Sequence, residues 1–263
     1  MFLILEFAAG GELFYKLGNI ESGKMREKQA RFYFVEILEA IDYLHKNDIL
    51  YRDLKPENIV IDENGHIKIT DFGLSKLEFK TLDRAYSFCG SPEYMAPEML
   101  VTEKNRMIGS APNYHNKSID YYHLGALLYE MICGLPPFFS EDRKKMYNDI
   151  MFSPIKLPES LTTECRNLLK GLLQKTPSKR LGSKRGAEEI KEHPWLHGVN
   201  WDQVLSKSIT PPFKPWLNKS NFDPEYTSMN PILEDEDPLI SLDELKEPVS
   251  NEFLNDFENR IIK

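Results

Sequence analysis

Residues 51–58 read Tyr51-Arg52-Asp53-Leu54-Lys55-Pro56-Glu57-Asn58. Just beyond them the side-chain pattern changes. Ile59-Val60-Ile61 and Ile67-Lys68-Ile69 flank Asp62-Glu63-Asn64-Gly65. Asn-Gly between β-branched runs predicts a hairpin, because both turn residues must accept positive φ. Asp71-Phe72-Gly73 follows, and then Ala96-Pro97-Glu98. Each short word alone is weak. All three in this order, with the hairpin between the first two, are very hard to produce by chance.

Working outward, the surroundings are mostly helical. From Ala30, apolar residues fall at Phe34, Ile37, Leu38, Ile41 and Leu44, a single stripe at helical spacing. Further helices are expected near 118–133, 141–151, 162–174 and 186–192, punctuated by Pro136-Pro137, Pro154, Pro158, Pro177 and Pro194. Met1-Phe2-Leu3-Ile4-Leu5 reads as a buried strand, since Glu6 cuts it short and no positive n-region marks a signal peptide. No apolar run is long enough to span a bilayer.

The chain has 263 residues, 41% apolar and 28% charged, an ordinary globular mix with enough apolar surface for a substantial core. Its 33 basic and 41 acidic residues give a formal net charge of −8, which argues against a general nucleic-acid binder. The charge is uneven. Residues 199–263 hold 13 acids and 6 bases, and 7 of the 17 prolines. A near-neutral body and an acidic, proline-punctuated tail are expected. The 3 cysteines, Cys89, Cys133 and Cys165, form no CxxC and cannot all pair. They suit a reducing, intracellular compartment, the cytoplasm first and the nucleus as an open alternative. The six histidines show no metal spacing and are expected at the surface or as satisfied core residues.

The motif set resembles the protein-kinase catalytic core, whose words are HRDLxxxN, DFG and APE. The resemblance implies a kinase-like α+β fold. It would consist of a mainly helical large lobe over 1–198, a short hairpin region, and a tail over 199–263. It also implies ATP and Mg²⁺. Asp53 would accept the proton of a substrate hydroxyl, and Lys55 would steady the moving phosphate. Asn58 and Asp71 would hold the metal, whose hardness suits oxygen donors. Tyr51 stands where the general pattern has His. Lys55 after Asp53, and Ser91 in Gly90-Ser91-Pro92-Glu93, fit a Ser/Thr kinase. By the family pattern the Ser91 hydroxyl contacts Asp53 and Lys55. The alternative for Asp53 and Asp71 is that both are ordinary turn aspartates.

Within that family the chain is similar to the AGC group. Tyr51-Arg52-Asp53, Ser87-Phe88-Cys89-Gly90-Ser91-Pro92-Glu93-Tyr94, Pro211-Pro212-Phe213-Lys214-Pro215 and Asn221-Phe222-Asp223-Pro224-Glu225-Tyr226-Thr227 carry the likeness. The resemblance implies that Ser87 is phosphorylated by an upstream kinase and clamped by Arg52 and Lys76. An exposed loop serine is the other reading. Asp120 should anchor the loop backbone, and Glu98 should pair with Arg180. Glu12, Glu57 and Glu130 match positions that receive arginines N-terminal to the target hydroxyl, so protein substrates with basic flanks are implied. Each alone also reads as a solvated acid. Leu254-Asn255-Asp256-Phe257-Glu258 is similar to the group's hydrophobic motif, with Glu258 at the phosphosite. It equally reads as an amphipathic helical end.

Of the nucleotide-facing positions, the resemblance assigns Glu6, Ala8, Glu12 and Val60. A Gly-rich loop and a strand lysine are not found, so the small lobe is expected to be largely missing and activity of this chain alone is doubtful. Two readings follow. One is an ATP-dependent Ser/Thr protein kinase given incomplete. The other is an inactive lobe acting as a binding or scaffold module. Residues from about 218 onward are expected to pack poorly on the body, while Trp201, Phe213 and Trp216 should hold 199–217.

Overall fold

After the short α1, Leu13–Gly18, the long helix α2, Glu27–Lys46, organises the body. Its Arg26 N–H donates to Gln29 Oε1 at 3.1 Å, which closes the first turn. The stripe from Ala30 to Leu44 is buried as expected. Glu36, Glu39, Asp42 and His45 on the same helix are buried too, and each has a charged or polar partner. Across from it lies α3, Ser118–Cys133, which is buried on nearly every side. Gly134, at φ 89°, ends α3 in the left-handed conformation. The computed structural model describes residues 5–20, 23–80, 83–85, 89–101, 115–215 and 221–228. Met1–Ile4, Ser87, Trp216 and the segment 232–263 with Leu254, Phe257 and Glu258 fall outside the described residues.

Two shorter helices complete the core. Helix α4, Arg143–Phe152, starts where the Asp142 carboxylate accepts from Lys144 N at 2.9 Å. Helix α5, Thr163–Leu172, starts where Thr162 Oγ1 accepts from Cys165 N at 3.2 Å. Each cap removes a residue or two from the range expected from periodicity. Helices α3 and α5 approach closely at Gly125. A Cβ there would sit 2.7 Å from Leu172 Cβ. Helices α6, Ala187–Lys191, and α7, Trp201–Leu205, pack below α2.

The sheet is small. Strands β1 (Gly11–Glu12), β2 (Ile59–Ile61) and β3 (Ile67–Ile69) run antiparallel in that order. Glu12 lies opposite Val60, and Val60 opposite Lys68. The hairpin forms where predicted, but by a different turn. Only Gly65 has positive φ, 98°, and Asn64 does not. The Asp62 carboxylate accepts from Asn64 N and His66 N, at 2.9 and 3.0 Å, so the aspartate organises the connection over 62–66. Gly65 is needed for a second reason. A Cβ there would lie 2.2 Å from the Phe213 carbonyl oxygen.

The chain divides into two compact units, residues 1–223 and 224–263. In the second, the described residues form one short helix, α8, Pro224–Thr227. In the first, Trp201 packs against the core and the Lys16 ammonium sits 3.2 Å from the Phe213 ring centre. Two expectations fail here. Leu5 is in no strand and is 75% exposed, because no described strand pairs with it. Residues 221–223 are well held rather than loose. The Phe222 ring stacks on Phe7 at 5.6 Å, and Asn221 Nδ2 donates to the Ala9 carbonyl at 2.9 Å.

The Glu98–Arg180 pair forms as the resemblance implied. The two nitrogens of the Arg180 fork meet the two Glu98 oxygens at 2.7 and 2.9 Å, with Arg180 also donating to the Ser118 carbonyl. Arg180 is 1% exposed and Glu98 4%. Truncating Glu98 leaves a buried guanidinium without its counter-charge. Glu98→Ala should therefore lower unfolding free energy by about 3–5 kcal/mol, read by urea denaturation.

Candidate active site

The loop between α2 and β2 carries the central cluster. Asp53 is 7% exposed and Asn58 5%. Asn58 Nδ2 donates both to the Asp53 carbonyl and to Asp53 Oδ2, each at 2.8 Å. Lys55 Nζ stands 3.2 Å from Asp53 Oδ2 and donates to Ser91 Oγ at 3.0 Å. Asp53, Lys55, Asn58 and Ser91 are thus brought together. Ser91 bonds Lys55, and no bond from Ser91 to Asp53 is seen among the described residues.

The loop itself is held from below by Asp120. Its oxygens accept from Tyr51 N at 3.0 Å and Arg52 N at 2.8 Å, and His45 Nε2 lies 2.7 Å away. Burial alone would push the Asp120 carboxyl up. The His45 bond and charge, the field of His123 and the Tyr51 N–H outweigh it and hold it below its usual range. The anchoring forces Arg52 to φ 74°.

Asp71 follows β3 and is exposed, at φ 56°. Its Oδ1 accepts from Gly73 N at 3.0 Å. The Phe72 ring meets Tyr51 edge-on at 5.5 Å, which ties the two motif words together. Because the Asn58 amide nitrogen is committed to Asp53, its oxygen is left to accept. As oxygen donors, the Asn58 amide oxygen and the Asp71 carboxylate each have the chemistry that suits a hard divalent cation. Among the described residues no cluster of three or more His, Cys, Asp or Glu could hold a metal.

A wall of carboxylates lies beside this cluster. Glu130 on α3 is 8% exposed and accepts from the Tyr94 hydroxyl. Burial, then the charges of Glu57 and Glu93 working against that hydrogen bond, push its carboxyl up to about 7. Glu12 is also pushed up, by burial, then by Glu57 and Asp223. Glu57 Oε2 is buried without a hydrogen-bond partner among the described residues. Glu57 therefore links Glu12 and Glu130 into one field. Glu93 and Asp223 join it, and sequence reasoning missed both. Glu93 lies inside a motif word already quoted, whereas Asp223 is distant in sequence.

The remaining expected positions are scattered. The Glu6 carboxylate is exposed and paired with Lys68 at 2.9 Å. The Ala8 carbonyl accepts from Gly11 N at 3.2 Å. Val60 is half-buried on β2. Arg52 Nε donates to the Leu74 carbonyl at 2.7 Å. Lys76 is exposed, with its ammonium 5.2 Å from the Phe79 ring centre. The histidines divide. His45 and His66 are satisfied by Asp120 and Glu36. His115 and His123 are buried yet keep ring nitrogens without a hydrogen-bond partner among the described residues, which corrects the expectation of satisfied core histidines. No spacing pattern signals that.

A protein-family profile described as "Protein kinase domain" matches residues 1–196, so the chain belongs to the protein kinase family. Its relatives narrow this. Serine/threonine-protein kinase Sgk1 of Homo sapiens is 44% identical over 231 residues, 86% of this chain and 51% of that protein. Serine/threonine-protein kinase gad8 of Schizosaccharomyces pombe is 42% identical over 259 residues, 97% of this chain and 42% of that protein. Sgk1 of Xenopus tropicalis is 42% identical over 254 residues, 94% of this chain and 58% of that protein. The domain is that of a Ser/Thr kinase of the AGC group. The chain spans about half the length of these relatives. No helix among the described residues is long and apolar enough to cross a membrane.

The carboxylate wall has a measurable cost. Glu130 ionises near pH 4.5 when unfolded and only near about 7 when folded. The folded state thus retains a proton that the unfolded state loses, so stability falls as pH rises from 4.5 to about 7. Glu130→Gln keeps the Tyr94 hydrogen bond without the charge. It should raise stability at pH 8 by about 1–3 kcal/mol. Thermal melts of both proteins at pH 4 should show that gain vanish.

Proposed function

We propose that this chain carries the phosphoryl-transfer machinery of an ATP-dependent Ser/Thr protein kinase, with residues 1–198 as catalytic domain and 199–263 as its tail. The observation that carries the reading is the Asp53 carboxylate, held by Asn58 at 2.8 Å and facing Lys55 at 3.2 Å. Phosphoryl transfer is mostly positioning and charge stabilisation. Asn58 fixes Asp53 so that its carboxylate accepts the proton of the attacking hydroxyl. Lys55, oriented by Ser91 and Asp53, offsets charge on the group in transit. Asn58 and Asp71 would hold Mg²⁺, which supplies neutralisation of phosphate oxygens when bound. Glu6, Ala8, Glu12 and Val60 are the proposed nucleotide-facing positions.

Asp53→Asn removes the proton acceptor but keeps the shape. With a small lobe restored to the chain, it should lower transfer to a serine peptide by about 10²–10⁴-fold, measured by radiolabelled phosphate incorporation. Wild-type turnover in that variant removes Asp53 from the mechanism.

Substrates with arginines N-terminal to the target serine suit the wall of Glu12, Glu57 and Glu130. A guanidinium fork pairs with carboxylates that otherwise repel one another. Glu57, which acts on both others, is the sensitive position. Glu57→Ala should raise KM for an arginine-flanked peptide about tenfold while leaving an alanine-flanked peptide nearly unchanged. Equal effects on both peptides count against the basophilic reading. Phosphorylated Ser87 is the proposed regulatory group, with Arg52 and Lys76 as its cations and an upstream kinase as partner. Glu258 is the proposed mimic of a phosphate in the tail. The free thiols of Cys89, Cys133 and Cys165 fit a reducing compartment such as the cytoplasm.

A further inference from the structure

Tyr121 carries a buried hydroxyl that neither the motif words nor the proposed transfer chemistry uses. It lies in the first turn of α3, next to the loop anchor Asp120, and is 2% exposed. Its oxygen is 3.1 Å from His45 Nδ1, and the two rings meet edge-on at 5.2 Å. The other nitrogen of the same imidazole, Nε2, is 2.7 Å from Asp120 Oδ2. A neutral imidazole has one N–H and one lone pair, and a carboxylate can only accept. Nε2 therefore carries the proton that faces Asp120, and Nδ1 turns its lone pair to Tyr121. The phenol is free to donate, because the other group that meets its oxygen is the Ala187 N–H, itself a donor. The ring is tightly enclosed. Gly182 and Gly186 have φ 90° and 65°, and a Cβ on them would lie 2.6 Å from Tyr121 Cδ2 and 3.3 Å from its hydroxyl. The His45 backbone is fixed too, since the Lys117 ammonium donates to its carbonyl and to Asp48 Oδ1. Only the turning of the His45 ring is left to be settled by its two nitrogen partners.

We propose that Tyr121 is a positioning residue for the loop at 51–58. Its hydroxyl donates to His45 Nδ1 and fixes the imidazole with Nε2–H on Asp120, whose oxygens hold Tyr51 N and Arg52 N at 3.0 and 2.8 Å. The contribution is orientational. Rotation about the Cβ–Cγ bond of a histidine is soft. A ring turned over about that bond would present Cε1–H to Asp120 in place of Nε2–H, and the second hydrogen bond removes that freedom. The partner of one ring nitrogen also decides which nitrogen keeps the proton. A phenylalanine at 121 would keep most of the packing, yet it would leave the Nδ1 lone pair buried without a donor, at the cost of its desolvation. The relay runs from the turn at 182–186 through Tyr121, His45 and Asp120 to Arg52, the residue before Asp53. The proposal rests on the reading that this loop presents Asp53 to the substrate hydroxyl, and it adds to that reading a side chain outside every motif word.

The test uses the full chain and reads no phosphoryl transfer, so its failure is distinct from failure of the Asp53 reading. Long-range proton–nitrogen NMR spectra of the imidazoles at about pH 8, with His45 assigned from His45→Gln, report which ring nitrogen carries the proton. The expected His45 pattern is a proton on Nε2 and an unprotonated, hydrogen-bonded Nδ1. In Tyr121→Phe the Nδ1 signal should move towards that of a free lone pair. A proton on Nδ1 in the wild-type chain, or an Nδ1 signal unmoved in the variant, overturns the proposal. If the variant does not fold, the wild-type spectrum decides alone. Amide hydrogen exchange then reads the loop. Tyr121→Phe should speed exchange of the Tyr51 and Arg52 N–H groups about five- to tenfold, the loss of one ordinary hydrogen bond, while amides in α5 keep their wild-type rates. Unchanged rates at Tyr51 and Arg52 overturn the proposal, and so does an equal rise across the whole chain, which marks general destabilisation. Because the hydroxyl acts through the ring, Tyr121→Phe should add nothing to loop exchange in a His45→Gln background. Additive effects in that double variant remove His45 as the intermediary and overturn the relay.

Discussion

Asp120 is fully buried, and its two oxygens accept from Tyr51 N and Arg52 N while His45 lies at 2.7 Å. Three elements meet at that carboxylate: the end of α2 through His45, the first turn of α3 through Asp120 itself, and the loop at 51–58. His45 is itself fixed from the other side by the Tyr121 hydroxyl at 3.1 Å. A buried charge is tolerated only when it is paired and hydrogen-bonded, and here two of its bonds hold the loop while the third ties it to α2. The consequence is conformational. Arg52 sits at φ 74°, a region costly for a residue with a Cβ, and Asp120 holds it there. With the backbone of 51 and 52 fixed, Asp53 is presented to Asn58 and Lys55 rather than left to rotate as a turn aspartate.

The charges around this anchor are distributed asymmetrically. Buried cations are largely satisfied: Arg180 by Glu98, and Lys191 by Glu39 and Asp42. The anions beside the loop are crowded together. Burial first, and then Glu57 and Asp223 on Glu12 and Glu57 and Glu93 on Glu130, push those two carboxyls up in pKa. Such an arrangement destabilises the free protein. It makes physical sense where a cationic ligand relieves it, which is the role proposed for an arginine-flanked peptide.

Much of this was legible in the sequence because it is local. The stripe from Phe34 to Leu44, the hairpin around Gly65 and the three motif words are each set within a few residues. The kinase resemblance added contacts that no periodicity carries, Glu98 with Arg180 across 82 positions and Asp120 with the loop. What escaped was set by partners outside any word. Asn64 looked like a turn residue needing positive φ, yet the Asp62 side chain supplied the turn instead. Leu5 looked buried by its apolar neighbours, but burial depends on what it packs against. His115 and His123 share no spacing, and only the fold brings their rings into one buried region with Arg52.

Asp223 shows the same limit from the other end of the chain. Composition marks its surroundings as an acidic tail, and acidic, proline-rich chain is expected to stay loose because burial cannot offset ordering. Three residues escape that rule. Asn221 donates to the Ala9 carbonyl across 212 positions, Phe222 stacks on Phe7, and the Asn221 carbonyl oxygen lies where a Cβ on Gly11 would stand, 2.0 Å away. Gly11 thus has to lack a side chain for the segment to seat. Closing so long a loop costs only slightly more than closing a short one, since the cost grows with the logarithm of length. One aromatic pair and one amide bond can therefore hold the segment where a tail-wide average predicts nothing. Seated there, Asp223 adds to burial and Glu57 in pushing the Glu12 carboxyl up, so part of the field at the carboxylate wall comes from a residue that only packing, and no motif at 51–98, delivers.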